Sequence, residues 1–176
     1  MSVTALILAG GASRRMGEDK ARMFGGVSRL QRLLHGAGVN RTVVLCGSEE
    51  RRALFEGEVM ADPEGLAGLH QLVRWACNAV GGTVLLIPCD AFLLTEEAVT
   101  FLLKHEQTGG VPTDEQPCRQ PLFALIPEGF VLSGEAQAVK ELLAELPTLE
   151  TSELGAAFTN FNTPSEVAHH QVGPRR

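Results

Sequence analysis

The sequence predicts an α/β protein, a three-layer α/β/α fold on a mostly parallel central sheet. Three observations carry that prediction. Short stretches such as Val3 to Leu8, Thr42 to Cys46 and Thr83 to Pro88 are apolar on both faces, as strands covered by helices on each side must be. Segments of helical spacing separate them, giving the strand–helix rhythm of parallel crossover units. Glycine, proline or aspartate follows the strands, so each apolar run has a defined stop.

Taken in order, Val3 to Leu8 forms the first strand and ends at Gly10-Gly11. Leu30, Leu33, Leu34 and Ala37 share one helical face, and that helix ends at Gly36 and Gly38. Thr42 to Cys46 is a second strand, Glu49 to Phe55 a polar helix, and Val59 to Ala61 a shorter strand ending in Asp62-Pro63. Leu66, Leu69, Leu72, Val73, Ala76, Cys77 and Val80 follow i, i+3, i+4, i+7 spacing, which predicts a long helix from near Gly65 to Gly81-Gly82. Thr83 to Pro88 is the strongest strand signal and ends in Cys89-Asp90. A helix follows from about Thr95, its first-turn Glu96 and Glu97 suiting the positive end of the helix dipole. Residues 109–121 are polar and proline-rich and read as a loop with one short strand; Leu122 to Ile126 returns to strand character. A helix from about Ser133 turns Val139, Leu142, Leu143 and Leu146 inward, and Ala157 to Phe161 is the last strand. Thr163-Pro164-Ser165-Glu166 then opens a final helix with a capping box. Residues 1–172 are expected to form a single domain and 173–176 a disordered tail.

A chain of 176 residues suits one substantial core and therefore one site. The net charge of -6 argues against broad binding to nucleic acid, which depends on neutralising many phosphates with Lys and Arg. No apolar run approaches the ~20 residues of a membrane helix, and no basic segment followed by a long apolar one opens the chain, so a cytoplasmic protein is expected. Cys46, Cys77, Cys89 and Cys118 are widely spaced without a Cys-x-x-Cys pair, against a zinc knuckle or a disulfide framework.

In open parallel sheets ligands sit outside the carboxyl ends of the strands. The residues to weigh are therefore 10–20, Cys46-Gly47-Ser48, 62–68, Asp90 and 160–162. The first of these is not a dinucleotide fingerprint, because Ala12 stands where a second glycine is needed, nor a Walker A loop, because Gly11 and Gly17 are five residues apart and Lys20 lies three further on. What remains is the backbone N–H groups of Gly10 and Gly11 with Arg15 and Lys20 as fixed positive charge, a set suited to a triphosphate or, more plainly, a tight turn with solvated charges. Asp90 at a strand end suits a hard cation such as Mg2+ and equally a cap for the next helix. Asp62 before Pro63 suits a nucleotide contact or a turn. Asn160 and Asn162 bracket Phe161 at period two, so both amides leave the predicted strand on one face, unless Asn162 merely ends it.

Leu8 to Lys20 resembles the signature Leu-Ala-Gly-Gly-x-Ser-x-Arg-Met-Gly-x-Asp-Lys of the molybdenum cofactor guanylyltransferases, the MobA-like nucleotidyltransferase family, with every fixed position present. Further similarity follows in the family's order: Gly65-Leu66-Ala67-Gly68 without the family's proline, Pro88-Cys89-Asp90, Gln120 to Leu125, and Asn160-Phe161-Asn162-Thr163-Pro164-Ser165-Glu166. The resemblance implies a Rossmann-like nucleotidyltransferase fold and Mg-dependent transfer of GMP from GTP to the terminal phosphate of molybdopterin, with release of pyrophosphate.

By the same resemblance, Leu8, Ala9, Gly10, Gly11, Asp62, Gly68 and Asp90 hold the nucleotide, and Lys20 and Arg15 balance its phosphate charge. Asp90 carries the metal, and Asn160 and Asn162 meet the acceptor. Protein partners would be other cofactor-biosynthesis proteins or apo-molybdoenzymes. Cys46-Gly47-Ser48 replaces the family's polar amide near the base, so the base stays open between guanine and cytosine. The alternatives are a sister enzyme using CTP on molybdopterin or another NTP on a sugar phosphate, and a nucleotide-binding module without catalysis. Arg51-Arg52 reads as a solvated face, His70 as a surface histidine, and Arg119 as a contact to the acceptor's phosphate.

Overall fold

The strand regions carry a central sheet in a computed structural model that describes residues 2–11, 19–161 and 164–169. In chain order the strands are β1 (Val3–Leu8), β2 (Arg41–Leu45), β3 (Glu58–Met60), β4 (Thr83–Pro88), β5 (Val111–Pro112), β6 (Leu125–Ile126) and β7 (Thr148–Leu149). The helices are α1 (Gly26–Gly36), α2 (Leu69–Val80), α3 (Glu96–Leu103), α4 (Val139–Leu142) and α5 (Pro164–His169). The main sheet runs β3-β2-β1-β4-β6, and β5 and β7 pair separately. β1, β2, β3 and β4 are mutually parallel, whereas β6 runs antiparallel to β4 with Leu85 opposite Leu125.

Successive side chains of a strand point to opposite faces, and here both faces are apolar. Ala5, Ile7, Leu85 and Ile87 therefore enter one core with Leu30 and Leu34 of α1 and Val99 and Leu102 of α3. Leu6, Val84 and Leu86 enter a second core with Leu72, Val73 and Ala76 of α2 and with Val139 and Leu142 of α4. These two cores make the three layers. Among the described residues, no helix is long and apolar enough to cross a membrane.

Several elements differ from expectation. α2 starts at Leu69 rather than near Gly65, because Gly65 takes φ +81°, a left-handed conformation that a right-handed helix does not contain. Residues 62–68 are left as a loop that walls a cleft at the carboxyl edge of the sheet. The Glu49 segment is a 3-10 helix, Glu49–Leu54. Leu122 to Ile126 begins as a 3-10 turn, Pro121–Phe123, and only its last two residues pair with β4. The helix expected from Ser133 is confined to α4, since Ser133 Oγ accepts from Glu135 N (3.2 Å) and Glu141 Oε2 from Gln137 N (2.8 Å), turns that compete with helical bonds.

The largest correction concerns Ala157 to Phe161. These residues are not a strand: a 3-10 helix, Ser152–Phe158, runs through the stretch, and the two-residue β7 lies before it. A short apolar run does not distinguish buried strand from buried helix, and Phe158 is buried here through a helical turn, its ring 5.5 Å from that of Phe123. Asn160 therefore has no strand to share with Asn162. Asn162, Thr163 and residues 173–176 lie outside the described residues.

Candidate functional site

The chain passes from β1 to β2 on one side and later to β4 on the other, so the strand order reverses between β1 and β4. That is where an open α/β sheet leaves a crevice at its carboxyl edge. A cleft of about 530 Å3 lies there. Gly10, Gly11, Lys20, Asp62, Gly68 and Asp90 line it, with an apolar wall that includes Leu8, Leu66 and Leu122. Seven of the residues singled out from the sequence are thus brought together. Arg15 and Asn162 lie outside the described residues.

Backbone contact sets the floor of the cleft. A side chain at Gly10 would place its Cβ 2.7 Å from Gly47 Cα, so the ends of β1 and β2 approach closely only because both residues are glycine. Gly47, with φ +85°, is gripped in turn by Asp62: Asp62 N donates to Gly47 O (2.6 Å), and Asp62 Oδ1 accepts from Gly47 N (3.2 Å). Burial pushes the Asp62 carboxyl above its usual range, partly offset by the Gly47 N–H. Asp62 is thus both the turn residue and a wall of the cleft.

Lys20 and Asp90 meet across the switch point. Lys20 Nζ lies 2.8 Å from Asp90 Oδ2 and also donates to the carbonyl of Phe161. Their side chains are 15% and 10% exposed, so Lys20 is a part-buried charge rather than a solvated loop lysine. It opens a 3-10 helix, Lys20–Gly25, whose N-cap is Asp19, with Asp19 Oδ1 accepting from Ala21 N at 3.1 Å.

Asp90 puts a carboxylate beside Lys20; among the described residues no group of three or more His, Cys, Asp or Glu side chains gathers to hold a metal. A magnesium ion that takes one carboxylate and draws its remaining ligands from phosphate oxygens and water fits that donor set.

Arg51 is a residue beside the site whose contacts sequence reasoning missed. Its guanidinium does not face solvent: Nη1 lies 2.8 Å from Asp19 Oδ2, Nη2 donates to Ala9 O (2.8 Å), and Nε donates to Cys46 O (2.8 Å). The only signal in the sequence was its position six residues beyond the end of β2. Ala9 itself is buried, with its N–H donated to Leu45 O (2.9 Å) and its carbonyl held by Arg51. Cys46 is buried and does not line the cleft.

Asn160 lies off the cleft wall. Its Nδ2 donates to Gln120 Oε1 (3.4 Å), and its buried Oδ1 meets no partner among the described residues. Arg119 is also placed differently from expectation. It donates to the carbonyls of Leu143 (3.0 Å) and Leu146 (3.1 Å) and to Thr148 Oγ1 (2.8 Å), closing the end of α4 rather than facing an acceptor. His70 is partly buried beside Gly68.

Cys89 lines the cleft next to Asp90, and burial, reinforced by the Asp90 charge, pushes its thiol up to about 12. Burial likewise pushes Cys77 up to about 12, whereas Cys118 is exposed. The thiolate is the reactive form, so the Cys89 thiol is scarcely activated at pH 8. Iodoacetamide followed by peptide mass mapping should therefore label Cys118 first and leave Cys89 and Cys77 unmodified; rapid labelling of Cys89 would contradict this environment.

Comparison with known proteins places the site in context. The profile of the MobA-like NTP transferase domain matches residues 5–151. The molybdenum cofactor guanylyltransferase of Xanthomonas euvesicatoria pv. vesicatoria is 31% identical over 93% of this chain and 91% of its own length. That of Pseudomonas entomophila is 27% identical over 90% of this chain and 93% of its own. Among solved structures, molybdopterin-guanine dinucleotide biosynthesis protein A from Archaeoglobus fulgidus aligns with a TM-score of 0.66 at 19% identity, covering 94% of this chain and 95% of that one, a likeness of fold.

Proposed function

The chain belongs to the MobA-like NTP transferase family, and we propose that it transfers GMP from GTP to the terminal phosphate of molybdopterin, releasing pyrophosphate. The observation that carries this reading is the convergence of Lys20 and Asp90, 2.8 Å apart at the β1/β4 switch point. Relatives named for that activity, alignable over nearly the whole chain, support it.

The reaction is an in-line displacement at the α-phosphorus of GTP. A terminal phosphate oxygen of molybdopterin forms the new P–O bond, the bond to the bridging oxygen breaks, and pyrophosphate leaves with the electron pair. Negative charge gathers on the non-bridging oxygens and on the leaving group, so the protein's task is to orient the triphosphate and neutralise it. The backbone of Gly10 and Gly11 lets phosphates approach closely, and Lys20 supplies fixed positive charge. Asp62, held by Gly47, fixes the β2 side of the cleft, and the wall of Leu8, Leu66 and Leu122 excludes water from one side. Asp90 would hold Mg2+, which supplies further charge neutralisation on the phosphates.

The test is pyrophosphate release from purified protein given Mg2+, molybdopterin and each of the four NTPs in turn. GTP should support release well above the others. Release with CTP alone would make the chain a cytidylyl-transferring sister, and nucleotide binding without release from any NTP would make it a non-catalytic module.

A further inference from the structure

The Arg51 guanidinium donates to three acceptors: the Ala9 carbonyl beyond β1, the Cys46 carbonyl beyond β2, and the Asp19 carboxylate directly before Lys20. Ala9 and Asp19 are the second and the next-to-last positions of the glycine-rich signature, so one side chain ties the two ends of that stretch together at the edge of the sheet. The Asp19 carboxylate is used twice, Oδ2 on Arg51 and Oδ1 on the N–H of Ala21, which orients the turn that carries Lys20. Arg51 and Asp19 side chains are 23% and 24% exposed, sheltered enough for the pair to hold its geometry. Arg52, one residue on, pairs with Glu49 on the surface, with side chains 48% and 69% exposed. A planar fork can satisfy three such acceptors at once, whereas a lysine ammonium in the same place cannot.

We propose that Arg51 is a positioning residue for nucleotide transfer, fixing Ala9, Cys46 and Asp19 together so that Lys20 is presented to the triphosphate. This rests on the nucleotidyltransferase reading. Arg51 does not line the cleft and so acts through Asp19 and the strand ends rather than on the substrate.

Four variants test it: R51A, R51K, D19N and R52A, each examined by thermal melting, by affinity for a fluorescent GTP analogue, and by KM and kcat. A small misplacement of a charged group costs about 100-fold in rate, so R51A should lose about that much in kcat/KM for GTP, with weakened nucleotide affinity and an unchanged KM for the acceptor. R51K should recover little of the loss, and R52A should match the wild type. D19N keeps a side-chain oxygen for the N-cap and removes the charge. Combined with R51A it should add less than the product of the two single effects, because both break one linkage.

R51A within twofold of wild type in nucleotide affinity and kcat/KM would overturn the proposal, as would full multiplication of the R51A and D19N effects. So would complete rescue of kinetics by R51K, since any cation would then suffice. If the wild type binds the analogue but does not turn over, the functional reading fails, while the affinity comparison still decides the role of Arg51. A wild type that binds no nucleotide overturns both.

Discussion

Replacement of Lys20 by alanine is expected to lower turnover by about 10³-fold, the scale on which removing one preorganised group that stabilises transition-state charge is felt. Lys20 is the cation that the described structure places in the cleft against Asp90, where it can offset charge that gathers on the leaving pyrophosphate. The same substitution also removes the partner of a part-buried carboxylate, so it is not silent for stability. A carboxylate stranded in a dry interior costs about 3–5 kcal/mol, but Asp90 lines an open cleft where water can take the place of the ammonium, and the loss should be smaller. At this chain length each kcal/mol lowers the melting temperature by about 2–4 °C. Circular dichroism should therefore show a native spectrum with a melting point a few degrees lower, alongside the kinetic loss. A well-folded K20A variant with wild-type turnover would remove Lys20 from the mechanism.

Asp90→Asn is expected to separate metal use from nucleotide binding. The amide keeps the shape of the carboxylate but is a far poorer ligand for a hard cation, so half-maximal turnover should need at least about tenfold more Mg2+. In the protein the Lys20 and Asp90 charges cancel; in the variant the carboxylate no longer offsets Lys20, and a triphosphate without metal should bind as well as or better than to the wild type. A magnesium titration of turnover, beside metal-free binding of GTP, reads both effects. An unchanged magnesium curve would mean that another group holds the ion. Loss of metal-free nucleotide affinity would mean that Asp90 contacts the nucleotide directly.

The sheet was legible because β1, β2 and β4 are apolar on both faces and end in residues with fixed meanings. Gly10, Asp62 and Asp90 stand out simply as the residues just beyond strand ends. The C-terminal third was less legible. β6 and β7 are two residues each, and pairing that short is decided by tertiary contacts rather than by pattern. Phe158 and Phe161 are buried whether their backbone is extended or turned, so the apolar run misread a 3-10 helix as a strand.

Arg51 escaped for a different reason. Its acceptors are backbone carbonyls of Ala9 and Cys46, and a carbonyl leaves no mark on the side-chain sequence; only the three-dimensional meeting of two strand ends reveals it. Arg119 was mistaken in the same way, its partners again being carbonyls, those of Leu143 and Leu146.

The proposed reaction makes one specific bond, between GMP and the terminal phosphate of molybdopterin, in the cleft between β1 and β4. The most direct measurement is mass spectrometry of the pterin product after purified protein is incubated with molybdopterin, GTP and Mg2+, with K20A in parallel. Molybdopterin should gain the mass of one GMP moiety, in step with pyrophosphate release, and gain none with the variant. A molybdopterin of unchanged mass in the presence of folded, GTP-binding wild-type protein would contradict it.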